Sequence, residues 1–167
     1  MKALHIIAFA CMFIARMAQA DDLPEPIGPV VLTVTGQITV TNGNGVAEFD
    51  QAMLDGLPQR TTTATTPWLD GPHQFSGPTG AAILDAVGAK GQNLQIIALN
   101  DYAADVPAGD LTEFDVIFAT AIDDKVLSVR DKGPLFLIYP FDDRPELYNE
   151  VYFGRSVWQI NRIVVQD

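Results

Sequence analysis

Outside its first twenty residues the chain has one histidine, His73, and no cysteine, because His5 and Cys11 both lie within that opening stretch. One imidazole and no thiol exclude disulfides, thiolate metal sites, cysteine nucleophiles and a cage of several histidines. A Ser-His-Asp triad would have to use His73, and no Gly-x-Ser-x-Gly turn accompanies it. The side chains that remain are suited to recognition. Trp68 and His73 share a Thr-, Gly- and Pro-rich stretch from Gln59 to Gly80, Asn100, Asp101 and Tyr102 follow one another at a turn, and Trp158 lies in the last apolar run. Arg130 and Arg155 are the cations that could join them. Trp68, flanked by Thr, Pro, Asp and Gly, has little local core in which to hide an indole. Trp158, between Val157 and Ile160, reads first as core. Tyr102 reads either as a strand start or as a contact, Asp101 as a turn cap or a contact, and Arg155 as a contact or the partner of a carboxylate. Asp123-Asp124 and Asp142-Asp143 read as solvated turns, and neither matches an EF-hand loop.

The elements that must hold these residues are mostly strands. Residues 30–40 alternate apolar and polar with a period of two, the pattern of a half-buried strand, with Gly36 as a candidate bulge. Phe49, Met53, Leu54 and Leu57 have helical spacing behind Asp50, a plausible N-cap, and Pro58 closes that element. Gln59 to Gly80 has little periodicity and reads as an irregular loop. A short helix is predicted from Thr79 to Val87, ended by Gly88. Strands are predicted at 94–99, 102–106, 135–139 and 157–165, with a hairpin of 114–122 and 126–129 turning at Asp123-Asp124. No repeat or interdomain linker is visible, so the expectation is one α+β domain over 30–167, preceded by an extended, proline-containing arm over 21–29.

Residues 1–20 read as a secretory signal peptide: Lys2, an apolar stretch from Ala3 to Ala15, and the small-residue site Ala18-Gln19-Ala20. The apolar stretch is short for a bilayer span of about 20 residues. Phe9 near Cys11 spoils a lipoprotein signal. The expected location is therefore periplasmic, with no membrane insertion after cleavage. Loss of Lys2 and Arg16 would take the formal charge from -11 to -13. So acidic a surface repels phosphate backbones and argues against nucleic-acid partners.

Four stretches in register carry a resemblance. They are Thr65-Thr66-Pro67-Trp68 leading to Phe75-Ser76-Gly77; Ala98-Leu99-Asn100-Asp101-Tyr102 before Val106-Pro107; Lys132-Gly133-Pro134-Leu135 leading to Tyr139-Pro140; and Arg155-Ser156-Val157-Trp158-Gln159-Ile160. Their order and spacing resemble the molybdopterin-binding domain of the sulfite oxidase superfamily, above all its small, exported, single-domain bacterial members, over roughly residues 46–165. The resemblance implies a mixed, strand-rich fold with a pterin pocket built from loops. Catalytic members hold molybdenum with a cysteine thiolate from a loop corresponding roughly to 61–71, and here that loop has no Cys. Hydroxyls are poor substitutes for soft sulfur, so no metal is expected.

For a pterin, which has amino-pyrimidinone donors beside an acceptor, a pocket needs an aromatic face, a carboxylate or carbonyl, and a cation or N–H. Trp68 and Tyr102 would stack, Asn100 or Asp101 would read the donor edge, and His73, Arg130 or Arg155 would meet the acceptor or a polar tail, with Trp158 as a further contact. The resemblance implies a pterin-binding module that senses a small pterin and works with the periplasmic domain of a membrane-bound cyclic-di-GMP-metabolising enzyme. The alternatives are a molybdopterin-dependent oxidoreductase with non-Cys metal ligation and an adaptor domain with a vestigial pocket.

Overall fold

Alternation, broken at points where the backbone must turn, builds most of the scaffold in the computed structural model, which describes residues 23–167. The expected signal peptide lies outside the described residues. Residues 23–29 carry no strand and are pinned to the body by side chains. Asp50 Oδ2 accepts from the N–H groups of Ile27 and Gly28 at 2.9 and 2.8 Å, and Asn42 Nδ2 donates to the Pro24 carbonyl at 2.7 Å.

In β1 (Val30–Gly36) Leu32 and Val34 are buried while Thr33 and Thr35 are half-buried. The strand stops four residues short of the expected end. Gly36 takes a φ of 92°, and a Cβ there would collide with the Val165 carbonyl. That conformation and that approach both call for glycine. β2 (Ala47–Asp50) pairs antiparallel with β1, and Asp50 caps α1 (Gln51–Asp55) by accepting from the Met53 N–H at 2.9 Å.

The largest correction concerns Gln59 to Gly80. It is not an irregular loop but a hairpin of β3 (Gln59–Thr65) and β4 (Pro72–Pro78), paired from Gln59 opposite Pro78 to Thr65 opposite Pro72. Branched threonines suit an extended backbone, and the period of two survives in buried Thr62 and Ala64 against exposed Thr61 and Thr63. It is hard to see in sequence because one face is built from Thr and Ala. β4 also crosses tightly over the chain at Gly77, where a Cβ would meet the Phe118 carbonyl.

The helix predicted after Thr79 is α2 (Gly80–Ala86), with the Thr79 hydroxyl accepting from the Ala82 N–H. β5 (Asn93–Ala98) and β6 (Ala103–Pro107) are antiparallel partners around the Asn100-Asp101 turn. Two short helices were not legible: α3 (Ala108–Glu113) and α4 (Glu150–Arg155). Between them run β7 (Ile117–Ala119), β8 (Ala121–Ile122), β9 (Lys125–Val126) and β10 (Phe136–Ile138), before β11 (Ile160–Gln166). The β8–β9 turn is Asp123-Asp124, with φ of 47° and 62°, the left-handed pair that a two-residue hairpin requires.

Among the described residues three sheets result, ordered β2-β1-β11-β5-β6, β3-β4-β8-β9 and β10-β7. In the first, β1 and β11 are parallel and the other pairs antiparallel. Phe49, Phe75, Phe118, Phe136 and Tyr139 are fully buried between these layers. The fold class is α+β and strand-rich, as expected. No helix among the described residues is long and apolar enough to cross a membrane.

Candidate functional site

The β3–β4 turn, the β5–β6 hairpin end, and α4 with the segment joining it to β11 meet around one cleft of about 450 Å³, within the range usual for small-molecule sites. Its lining includes Trp68 from the first, Ala98, Asn100 and Tyr102 from the second, and Glu150, Phe153, Gly154, Ser156, Val157 and Trp158 from the third. The two indoles are edge-to-face, with centroids 5.6 Å apart and planes at 71°. Both rest on Phe136, at 5.7 Å from Trp68 and 5.9 Å from Trp158. A fully buried phenyl therefore fixes the corner from behind. Phe153 closes a further edge against Trp68 at 5.9 Å.

Trp158 corrects the reading of a core residue, because it remains 36% exposed. The alternation of the last strand is interrupted by an irregular register between Ile160 and Arg162, and Gln159 takes a φ of 56°. The indole is thereby set off the strand's buried row. Lys132 places its ammonium 4.5 Å from the centroid of that ring, covering one face of it.

The polar groups divide. Asn100 Oδ1 accepts from the Tyr102 N–H at 3.1 Å, an Asx turn that holds the residue on the cleft wall. Tyr102 is half exposed, and its hydroxyl donates to the Gly154 carbonyl at 3.4 Å, bridging two walls. Asp101, also at the turn, takes a φ of 63° and accepts from Arg162 at 2.6 Å, outside the lining. Arg155 is likewise outside it. Its guanidinium donates to Asp110 at 2.8 Å, and the same carboxylate oxygen accepts from the Tyr139 hydroxyl at 2.7 Å. Burial, then the hydrogen bond to Asp110, pushes the Tyr139 phenol far above its usual range. Arg155 thus ties the end of α4 to α3 and makes no contact with the cleft lining's cavity.

His73 and Arg130 line a second hollow of about 510 Å³, which shares only Trp68 with the first. His73 Nδ1 lies 2.7 Å from Asp123 Oδ2 and Nε2 lies 3.1 Å from the Asp70 carbonyl. Both ring nitrogens face acceptors, which favours the doubly protonated ring. The hydrogen bond to Asp123 accordingly raises the His73 pKa above its ordinary value. Asp123 is held below the carboxylate range by the Gln74 N–H first and His73 second.

Of the eight candidates, Trp68, Asn100, Tyr102 and Trp158 therefore share the cleft, with Trp68 also joining His73 and Arg130 in the hollow. The only carboxylate in the cleft lining, Glu150, was not foreseen, nor was Phe153. Asn149, whose side chain accepts from the Val151 N–H, was the available signal of a helix start.

Residues 61–71, the end of β3 and the turn that carries Trp68, offer hydroxyls and one carboxylate, Asp70, and no thiolate. No group of three or more His, Cys, Asp or Glu among the described residues is placed to hold a metal. That donor set does not fit a soft-ligand molybdenum site. The aromatic corner with an amide and a carboxylate does fit a flat heteroaromatic ring.

No protein-family model matches the chain, and no curated protein matches its sequence. Among solved structures it is similar to the sulfane dehydrogenase SoxCD from Paracoccus pantotrophus, with a TM-score of 0.63 and 19% identity. The match covers 83% of this chain and 38% of that one, so the chain spans well under half the length of its neighbour. A likeness at this identity shows architecture alone: the chain has a strand-rich, sulfite-oxidase-like α+β fold.

Proposed function

We propose that the protein is a binding module for a flat heteroaromatic of the pterin class, held in the Trp68–Trp158 cleft without a redox metal. The observation that carries this reading is the convergence of the chain's two tryptophans on one concave site beside Asn100, Tyr102 and Glu150. With Lys132 over one face of Trp158, a ligand ring stacks on the other and presents its edge to Trp68, whose plane lies 71° away. The Asn100 amide NH2, which makes no hydrogen bond among the described residues, donates to the ring's acceptor, and the Glu150 carboxylate accepts from the amino-pyrimidinone donors. Asp101, Arg155 and His73 take no part in holding the ring. Location in the periplasm, which rests on the signal-peptide reading of residues 1–20, and a membrane-bound cyclic-di-GMP-metabolising partner, which rests on the sequence resemblance, belong to the same proposal.

A second reading, a molybdopterin-dependent oxidoreductase, is favoured by the fold likeness to a dehydrogenase. The donors near the cleft do not fit the metal, and no catalytic step is assigned.

The test uses the protein's own fluorophores. Its only two tryptophans line the cleft, so titration of isolated protein with oxidised and reduced pterins should quench intrinsic emission saturably. Stacking is worth about 1–3 kcal/mol per ring, so Trp158→Leu should weaken binding at least about fivefold while the circular dichroism spectrum is unchanged. Absence of saturable quenching by any pterin, or full affinity in Trp158→Leu, overturns the site. Stoichiometric molybdenum in the isolated protein would favour the second reading.

A further inference from the structure

We propose that Asn44 is a site of spontaneous modification, at which the backbone nitrogen of Gly45 displaces the side-chain amide and leaves aspartate or isoaspartate. Of the six asparagines in the chain, only Asn42 and Asn44 precede a glycine, and both lie in the turn between β1 and β2. Ring closure requires the following backbone nitrogen to reach the side-chain carbonyl carbon, and a glycine there puts no side chain in the way. In sequence the two pairs are equivalent. The fold separates them.

Asn42 is locked. Its side-chain nitrogen donates to the carbonyls of Pro24 and Glu48 at 2.7 and 2.8 Å, and its side-chain oxygen accepts from the Glu48 N–H at 2.8 Å. The nitrogen that would attack it, that of Gly43, donates to the Val46 carbonyl at 3.2 Å. The space around Gly43 is also filled, since Val46 Cγ2 lies 2.8 Å from where a Cβ would stand. Asn44 differs on each count. It is exposed, and its side chain makes no hydrogen bond among the described residues. Gly45 takes a φ of 77°, and nothing lies within 4 Å of where its Cβ would be, which leaves room for the tetrahedral centre of ring closure. The Gly45 N–H donates to the Gly43 carbonyl at 2.8 Å, a contact inside the same exposed turn that can open without disturbing either strand. Asp55-Gly56 and Asp70-Gly71 offer the same spacing, but a carboxylate is a far poorer electrophile than an amide. The Gly56 N–H is in addition held by the Ala52 carbonyl at 3.1 Å.

The chemistry needs only water. Solvent hydroxide takes the proton of the Gly45 nitrogen, which forms a bond to Asn44 Cγ. The Cγ–Nδ2 bond breaks, ammonia leaves with a proton from water, and a succinimide ring remains. Water then adds to one of the two ring carbonyls and breaks its bond to the ring nitrogen. Opening at Cγ gives aspartate, and opening at the main-chain carbonyl of residue 44 gives isoaspartate. Nothing is oxidised or reduced. Either product carries a carboxylate where a neutral amide stood, and the second adds a methylene to the backbone of the turn. The turn contributes nothing to the lining of the aromatic cleft, so the outcome does not depend on the ring-binding reading.

The experiment is timed incubation of the full chain in mildly alkaline buffer, folded and in urea, followed by peptide mapping with mass spectrometry. In the folded protein Asn44 should convert first, with isoaspartate in excess, and Asn42 at least about tenfold more slowly, because its three hydrogen bonds must open beforehand. In urea those bonds are gone, and the two rates should come within about threefold of each other. Asn44→Gln should abolish the acidic species that isoelectric focusing resolves in the incubated folded protein, because glutamine closes a larger ring far more slowly. The proposal is overturned if Asn42 converts as fast as Asn44 in the folded chain, or if the unfolded chain converts while the folded one stays intact. Undiminished acidic species in Asn44→Gln would overturn it equally.

Discussion

Replacing Asp110 by Asn tests whether the α3–α4 tie is what holds one wall of the cleft. The Asp110 side chain is only 10% exposed and receives two hydrogen bonds on one oxygen, from Tyr139 at 2.7 Å and Arg155 at 2.8 Å. Asparagine keeps the shape and an acceptor oxygen for Tyr139, but removes the charge that Arg155 faces. Breaking a fully buried pair costs about 3–5 kcal/mol, but Arg155 is 24% exposed and water recovers part of that, so about 1.5–3 kcal/mol is expected. At about 2–4 °C per kcal/mol for a protein of this size, the melting temperature should fall by roughly 3–12 °C. Tyr139→Phe leaves the ion pair intact and should cost about 1 kcal/mol. The two changes share a partner, so their effects should not add, and a double-mutant cycle should return a coupling of at least about 0.5 kcal/mol. Urea unfolding followed by far-ultraviolet circular dichroism gives the energies. Emission of Trp68 and Trp158, read in native buffer, reports whether α4 has moved. A cost below about 0.5 kcal/mol for Asp110→Asn, within the range of ordinary surface substitutions, would refute the reasoning.

His73 should titrate above the usual imidazole value, because its ring is hydrogen-bonded to Asp123, and its ring proton can be followed by NMR as the sole histidine outside the first twenty residues. Because its folded pKa is raised, its contribution to stability is complete below the unfolded value near 6.5 and is lost as pH rises through the folded value. The stability difference between wild type and His73→Gln should therefore shrink toward alkaline pH, and a pH-independent difference would contradict the clasp with Asp123. Asp50 is held low, first by the Gly28 N–H and then by that of Met53, so its contribution is present above about 3.8 and lost as pH falls further. Hydrogen exchange at Ile27 and Gly28 should accelerate, relative to the intrinsic rate, in acid and in Asp50→Ala. Gly77→Ala forces a Cβ against the Phe118 carbonyl and the Ala119 backbone, and should cost about 2 kcal/mol or more in urea unfolding; a neutral effect would mean that β4 and β7 are not so closely crossed.

The parts of the fold legible in sequence are those whose signal is local. Thr79 and Asp50 are caps because a short oxygen-bearing side chain reaches its own helix's N–H groups, and Asp123-Asp124 turns because those residues tolerate the left-handed region. The stretches around 94–98 and 136–138 are strands because their apolar side chains have a core to enter. The β3–β4 hairpin escaped notice because its inward face is made of Thr and Ala, whose pattern carries almost no hydrophobic contrast. α4 escaped because, at six residues, its helicity comes from packing Tyr152 and Phe153 against their aromatic neighbours.

For the site, residue types alone favoured Trp68, since an indole among Thr, Pro and Gly has little local core to enter, and left Asn100 or Asp101, and Tyr102, open between turn or strand roles and contacts. The exclusion of thiol chemistry from residues 21–167 is likewise a matter of inventory and needs no coordinates. Tertiary structure alone decided which candidates meet. It sent Arg155 to Asp110, Asp101 to Arg162, and His73 with Arg130 to a separate hollow, and it brought Trp158 and Glu150 to the cleft. The reason is that pairing of charges and the facing of side chains depend on distances between segments far apart in the chain, such as Asp110 and Arg155, 45 positions apart, and no local pattern encodes those distances.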